Sequence, residues 1–199
     1  MDYMILVNKQ HPLPEGWEKE LKTVTITNSF GYGVEAEKKT AEAYLRLKKA
    51  LEEDGIRIDL DSGLRTVESQ REIMVRFTEK YGAEYALKTV APPGCSEHHT
   101  GLALDLYFRI EKADGTLEDV DENEESTKPE YDGLWAAIHA RLAEFGFILR
   151  YQKGKESITG YDYEPWHIRY LDDAEAAKAI MAREGLTLEE WFVEKNGER

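Results

Sequence analysis

The stretch Ser96-Glu97-His98-His99-Thr100-Gly101-Leu102-Ala103-Leu104-Asp105 decides how this chain is read. Gly101 marks a turn, and Leu102 to Ile110 reads as a strand rich in apolar residues. His98 then stands at a loop exit and Asp105 inside the strand, where the two side chains can converge on one side. A second punctuated segment, Glu164-Pro165-Trp166-His167, sets a carboxylate three residues before an imidazole at the start of another strand, Trp166 to Tyr170.

Around these segments the pattern alternates irregularly between helix and strand. A helix is predicted from about Val34 to Glu53, with Tyr44, Leu45, Leu47 and Leu51 near a 3.6 spacing and Asp54-Gly55 stopping it. Ile56 to Leu60 alternates with period two and reads as a strand. A second helix is predicted from Val67 to Tyr81, with Ile73, Met74 and Phe77 inward and Gly82 ending it. Residues from Glu111 to Glu130 are acidic and nearly without apolar side chains, and read as an exposed insertion. Tyr131 to Phe145 reads as an amphipathic helix with Leu134, Trp135, Ile138 and Leu142 inward and Gly146 as C-cap; Phe147 to Leu149 reads as a strand. Asp172 or Asp173 can cap a helix ending near Gly185, and Thr187 with Glu190 makes a capping box for a short terminal helix. Such irregular alternation favours α+β over a doubly wound sheet. The expectation is a single α+β domain over 1–199, an antiparallel sheet with helices packed around it, the sheet carrying the strands that follow the two punctuated segments.

Composition narrows the function. The chain has 199 residues, 41% hydrophobic and 33% charged, which suits one globular domain with a real core. Lys plus Arg number 26 against 40 Asp plus Glu, a net charge of −14, and no basic stripe accompanies it. Nucleic acid and an anionic membrane surface are therefore disfavoured as partners. The single cysteine, Cys95, cannot close an internal disulfide, and reads as a small buried residue. No run approaches the ~20 apolar residues that span a bilayer. The N-terminal residues show no basic region followed by an apolar signal segment, so the sequence as written is expected in the cytoplasm.

Five histidines limit the metal chemistry available. A hydrolytic zinc site needs three protein ligands and one open position. His98, Asp105 and His167 supply two imidazoles and a carboxylate, which leaves a residual positive charge with Zn2+. Glu164 is suited to be the base, close to the site and outside the ligand set, because Pro165 helps direct it separately from His167. Spacing alone also fits a reading in which these are ordinary hydrogen-bonded polar residues and Glu164 a strand-end charge. His11, in a Pro-rich loop, and His139, on the polar side of a helix, read as structural. His99 should point away from His98 in extended chain and is left out of the ligand set.

The combination Ser96-x-His98-x-x-Gly101-x-Ala103-x-Asp105 with Glu164-x-Trp166-His167 resembles the zinc D-alanyl-D-alanine carboxypeptidase family, the VanY-type peptidases. Leu6-Val7-Asn8-Lys9-x-His11-Pro12-Leu13, Ser62-Gly63-x-Arg65-Thr66-x-x-x-Gln70, Phe147 to Tyr151 and Ile158-Thr159-Gly160 extend the likeness over roughly residues 5 to 170. Gly94-Cys95-Ser96-Glu97-His98 looks most like the cytoplasmic VanXY-type branch, which combines D,D-dipeptidase and D,D-carboxypeptidase activity. The resemblance implies one zinc ion per chain on His98, Asp105 and His167, with Glu164 as catalytic base. It implies that Arg65 polarises the scissile carbonyl and that Gln70 and Ser96 help hold substrate. Read without the resemblance, Arg65 fits a surface salt bridge, Gln70 a helix-surface amide and Ser96 a loop-capping hydroxyl. The implied partner is a peptidoglycan stem peptide, its precursor or free D-Ala-D-Ala. An L,D-carboxypeptidase trimming tetrapeptide stems and a non-catalytic wall-peptide binding module are the alternatives; the intact Glu164 argues against the second.

Overall fold

The computed structural model describes residues 1–121, 123–183 and 185–197. Residues 122, 184, 198 and 199 lie outside it, so the acidic insertion, the helix toward Gly185 and the chain-long domain are considered without them. The architecture is α+β. A hairpin of β1 (Thr23–Thr27) and β2 (Gly33–Glu37) leads into α1 (Lys38–Glu53) and β3 (Arg57–Ser62), followed by α2 (Val67–Tyr81) and α3 (Ala83–Thr89). Then come β4 (Ala103–Glu111), β5 (Leu117–Val120), the short α4 (Asn123–Ser126) and α5 (Asp132–Leu142). The chain closes with β6 (Phe147–Tyr151), the short α6 (Glu156–Thr159), β7 (Glu164–Tyr170), α7 (Ala174–Met181) and α8 (Leu188–Gly197).

The main sheet is antiparallel, in the order β3-β4-β7-β6, with β5 also paired to β4. Period-two alternation divides its faces. Leu104, Leu106, Phe108, Ile168 and Tyr170 pack on Tyr44, Leu47 and Leu51 of α1 and on Trp135, Ile138 and Leu142 of α5. Asp105 and His167 fall on the opposite face and are direct cross-strand partners. A second, smaller core of Leu6, Ile148, Leu171, Ile180, Leu186 and Leu188 fastens α7 and α8 to the sheet. Among the described residues no helix is long and apolar enough to cross a membrane.

Three expectations need correction. The first helix starts at Lys38: residues 33–37 pair with β1, and Glu37 turns its carboxylate onto the Thr40 amide at 3.0 Å, capping α1 four residues later than its periodicity suggested. The segment 111–130 is organised. Leu117–Val120 pairs with the end of β4, and Val120 is buried against Phe108, its register partner. The apolar residues of α2 do not enter the core; Gln70 is its one buried residue, and Ile73 and Phe77 face a cleft. The helix before Gly185 ends at Met181 and is capped by Asp173, whose carboxylate accepts from the Ala176 amide at 2.9 Å. The Thr187/Glu190 capping box forms, each side chain accepting from the other's amide, at 2.8 and 3.1 Å.

Candidate active site

Two irregularities in the sheet build the site. β4 pairs with β7 only over Ala103–Asp105; beyond that β5 takes the same edge of β4 over Phe108–Glu111. β7 therefore splays away just past His167, and a cleft of about 750 Å³ opens at the splay. Between β6 and β7 the register shifts: Leu149 faces Ile168 but Tyr151 faces Glu164, so two steps along β6 match four along β7. Residues three apart point to opposite faces of a regular strand. This bulge turns Glu164 to the same side as His167, and the Glu164 Oε2 lies 3.7 Å from His167 Nδ1.

His98 is held by a turn. Ser96 Oγ accepts from the His98 amide at 3.3 Å, capping the short 3-10 turn Glu97–Thr100, and Gly101 ends it in the left-handed region at φ 71°. His98 Nδ1 donates to the Gly63 carbonyl at 2.7 Å, so its bare Nε2 points at Asp105 Oδ2, 3.1 Å away. His167 presents Nδ1 to Asp105 Oδ1 at 3.0 Å, and its Nε2 faces Glu97 Oε2 at 3.5 Å. One ligand atom from each of His98, Asp105 and His167 lies within 4.8 Å of the other two, and all three residues are buried. His98 Nε2 and Asp105 Oδ1 are buried without hydrogen-bond partners among the described residues. Buried polar atoms left unpaired are costly, and orphaned nitrogen and carboxylate donors converging on one point fit a dication.

Gly63, whose carbonyl sets the His98 ring, has no room for a side chain. A Cβ there would meet the Glu35 carbonyl oxygen at 2.2 Å and Val34 Cγ1 at 2.9 Å. Gly63→Ala is expected to cost about 1–3 kcal/mol by forcing β2 and β3 apart, read as a lower urea midpoint with an unchanged m-value. An unshifted midpoint would show that the two strands give way freely.

Burial and neighbouring charge set the protonation pattern. Burial pushes His98 down to about 4, with Arg65 adding to the effect. Burial also opposes charge on His167, but its contacts with Asp105 and Glu97 outweigh that and raise it to about 9. Burial works against the Asp105 carboxylate, and the two facing imidazoles nevertheless hold it well below its ordinary range. Burial lifts Glu164 to about 8, with Asp105 adding to the rise and His167 opposing it. A dication at this point would favour the proton-free forms of all four groups.

Arg65 closes one side. Its guanidinium donates to Asp105 Oδ2 at 2.9 Å and to Gln70 Oε1 at 3.1 Å, and its side chain is 19% exposed on the cleft wall. Gln70 spends its other end on the Ala91 carbonyl at 2.9 Å, so both ends of its amide are engaged. His99 points away from His98, as expected. Its Nδ1 donates to the Arg65 carbonyl at 2.7 Å, and its Nε2 accepts from the Gly94 amide at 3.1 Å. His139 does not sit on a polar helix face: Nε2 donates to the Pro165 carbonyl at 2.9 Å and the ring stacks on Trp135. Cys95 is half-buried, not buried, and His11 bonds Asn8 within its loop. Trp166 is half-buried, packs against the main core and also borders the cleft.

Glu97 was missed. It is fully buried behind His167; Oε1 accepts from Arg150 Nε at 2.8 Å and from Arg169 at 2.9 Å. Burial opposes its charge, and the two arginines hold it far below the usual carboxylate range. Arg150 also grips Glu189 of α8 with both terminal nitrogens, at 2.9 and 2.6 Å. A carboxylate behind a ligating imidazole fixes the ring and its tautomer. Here Glu97 Oε2 stands 3.5 Å behind His167 Nε2, on the side of the ring turned away from Asp105.

A sequence profile for VanY, D-alanyl-D-alanine carboxypeptidase, matches residues 33–173. The chain belongs to the VanY family. It is 37% identical over 198 residues to a Bacillus subtilis protein named as a carboxypeptidase, YodJ, covering 95% of this chain and 66% of that protein. This chain thus spans just under two thirds of that VanY relative's length. It is 31% identical over 199 residues to VanXYC of Enterococcus gallinarum, named a bifunctional D-Ala-D-Ala dipeptidase and carboxypeptidase, covering 98% of this chain and 93% of VanXYC. Among solved VanY-family structures, a mutant of the D,D-pentapeptidase VanY from a VanB-type resistance cassette, in complex with Zn(II), superposes with a TM-score of 0.76. That match is 31% identical and covers 96% of this chain and 98% of the other. The resemblance read from the motifs to the VanY family and its VanXY members is borne out.

Proposed function

We propose that this chain is a zinc-dependent D,D-carboxypeptidase and dipeptidase that hydrolyses D-Ala-D-Ala termini of peptidoglycan peptides, their precursors or the free dipeptide. The observation that carries the reading is the convergence of His98, Asp105 and His167 on one buried point, with orphaned donors, beside a carboxylate outside the set. His98 through Nε2, His167 through Nδ1 and Asp105 would hold one zinc ion. When bound, zinc supplies Lewis-acid polarisation of a carbonyl and acidifies water.

The chain's own residues supply the rest. Glu164 accepts the proton of the attacking water and returns it to the leaving amine, so one carboxylate serves as base and then acid. Its buried position, with the side chain 13% exposed, keeps the carboxyl within range of both protonation states. Arg65 offers a guanidinium to the oxygen that gains charge as the carbonyl carbon becomes tetrahedral. Gln70 and His99 fix that guanidinium and its backbone. Gln70 and Ser96 both border the cleft. The engaged amide of Gln70 supports a role in holding Arg65, through which it acts on substrate, and Ser96 holds the turn that carries His98.

Arg65→Ala is expected to lower kcat/KM by about 10²-fold or more, equivalent to about 2.7 kcal/mol of transition-state stabilisation. Arg65→Lys should recover only part, because an ammonium lacks the planar fork that meets Asp105 and Gln70 together. Near-normal turnover in Arg65→Ala would remove Arg65 from the site.

Incubating the zinc-loaded protein with a D,D-pentapeptide, an L,D-tetrapeptide and free D-Ala-D-Ala, and measuring released D-Ala, tests the reading. Release from the D,D substrates is expected. Release from the tetrapeptide alone would make the chain an L,D-carboxypeptidase, and release from none would leave a binding module. The cytoplasmic address belongs to the same proposal; recovery in the wall fraction or the medium of the host cells would overturn it.

A further inference from the structure

Two carboxylates and two guanidinium groups pack together behind His167. Glu97, Arg150 and Arg169 have fully buried side chains, and that of Glu189, on α8, is 12% exposed. Charges taken out of water need partners, and Glu97 is the unevenly partnered member. Its Oε1 accepts from both arginines, at 2.8 and 2.9 Å, while its Oε2 accepts no hydrogen bond among the described residues. That oxygen faces His167 Nε2 at 3.5 Å, and Nε2 is likewise buried without a hydrogen-bond partner.

The unevenness has its cause further out. A guanidinium meets a carboxylate best through two parallel N–H bonds that take both oxygens. Arg150 meets Glu97 through Nε alone. Its two terminal nitrogens go instead to Glu189, at 2.9 and 2.6 Å, in the two-bonded form. Glu189 is fixed in turn, because its Oε1 also accepts from Nδ2 of the buried Asn8 at 3.0 Å. Its neighbour Leu188 is 1% exposed in the smaller core. Glu189 lies beyond residues 33–173, the part of the chain that the VanY profile matches.

We propose that Glu189 is a positioning residue for the metal centre: by holding both terminal nitrogens of Arg150, it keeps Glu97 Oε2 turned to His167. Without Glu189, Arg150 takes Oε2 as the second half of a two-bonded pair with a carboxylate it already touches. His167 then loses the carboxylate behind its ring, a kind of partner worth about 10–100-fold in metal affinity. This rests on the reading of His167 as a zinc ligand. It adds that a side chain of the terminal helix, bonded to Arg150 and Asn8, governs how firmly the metal is held.

The test measures zinc affinity, by competition with a chromophoric chelator, and the visible absorption bands of the cobalt(II)-loaded protein. Glu189→Gln keeps the side chain's shape and removes its charge; it should bind zinc about tenfold more weakly and shift the cobalt bands. Leu188→Ala loosens α8 through packing alone. It should lower the melting temperature and leave zinc affinity and the cobalt bands as in the unmodified protein. Arg150→Met/Glu189→Met removes the guanidinium together with its anion, so that nothing draws Glu97 away, and should recover most of the lost affinity. A thermal melt on each variant checks that the fold is kept; if the double variant does not fold, the comparison of the two single variants decides. Unchanged zinc affinity and cobalt bands in Glu189→Gln overturn the proposal. So does Leu188→Ala weakening zinc as much as Glu189→Gln, which would leave Glu189 a structural role only, or a folded double variant as weak as Glu189→Gln. An unmodified protein that binds no zinc overturns the metal reading itself, and the proposal with it.

Discussion

Glu164→Ala is expected to retain about one zinc per chain while D-Ala release falls by about 10²-fold or more. The expectation follows from where the carboxylate stands. The bulge in β7 brings Glu164 to the same side as His167, with Oε2 3.7 Å from Nδ1, yet Glu164 is not among the three residues whose ligand atoms cluster. Removing it leaves His98, Asp105 and His167 in place. It also removes a carboxyl that burial pushes up to about 8, so the fold should not lose stability through this residue. Glu164→Gln, which keeps the shape and cannot take a proton, should be as inactive as Glu164→Ala. If Glu164→Ala loses zinc, Glu164 is a ligand and the roles are wrongly divided; if it keeps both zinc and activity, the base lies elsewhere.

His167→Ala should behave in the opposite order, losing the metal first and activity as a consequence. His167 links Asp105 to Glu97 across a buried charged network that includes Arg150 and Arg169, both 0% exposed. Loss of an outer partner of a metal ligand costs about 10–100-fold in affinity; loss of the ligand itself should cost more. Zinc content after gel filtration, measured on His167→Ala and Glu164→Ala side by side, separates the two roles. Full zinc retention in His167→Ala would exclude His167 from the metal site.

The convergence of His98, Asp105 and His167 was legible because their residue types are scarce. Five histidines leave few ways to assemble two imidazoles and a carboxylate, and the turn at Gly101 followed by an apolar run sets His98 in a turn directly before the strand that carries Asp105. The Glu164–His167 pairing was visible as a spacing but not as a geometry, since a regular strand would have sent the two side chains to opposite faces. The bulge responsible is a property of β6–β7 pairing. The structure encloses Glu164, and its raised protonation range follows from that enclosure.

Glu97 was hidden by position, since a glutamate between Ser96 and His98 in a turn reads as a solvated charge. A signal was present in two other places. Arg150 and Arg169 interrupt the apolar strands Phe147–Tyr151 and Glu164–Tyr170, and a buried guanidinium requires a buried anion. Gln70 shows the reverse case: motif likeness suggested an amide free for substrate, whereas the structure spends both of its ends on Arg65 and Ala91. The period-3.6 pattern of α2 was correct in extent, Val67 to Tyr81. Periodicity reports an apolar face without saying whether protein or ligand covers it.

Zinc dependence of D,D-hydrolysis tests the central claim most directly. The protein is stripped with a chelator, assayed for D-Ala release from a D-Ala-D-Ala-terminated peptide, and assayed again after one equivalent of zinc is restored. Release should vanish with the metal and return with it. Undiminished release from the stripped protein, or none from the protein with zinc restored, would contradict a hydrolytic zinc centre on His98, Asp105 and His167.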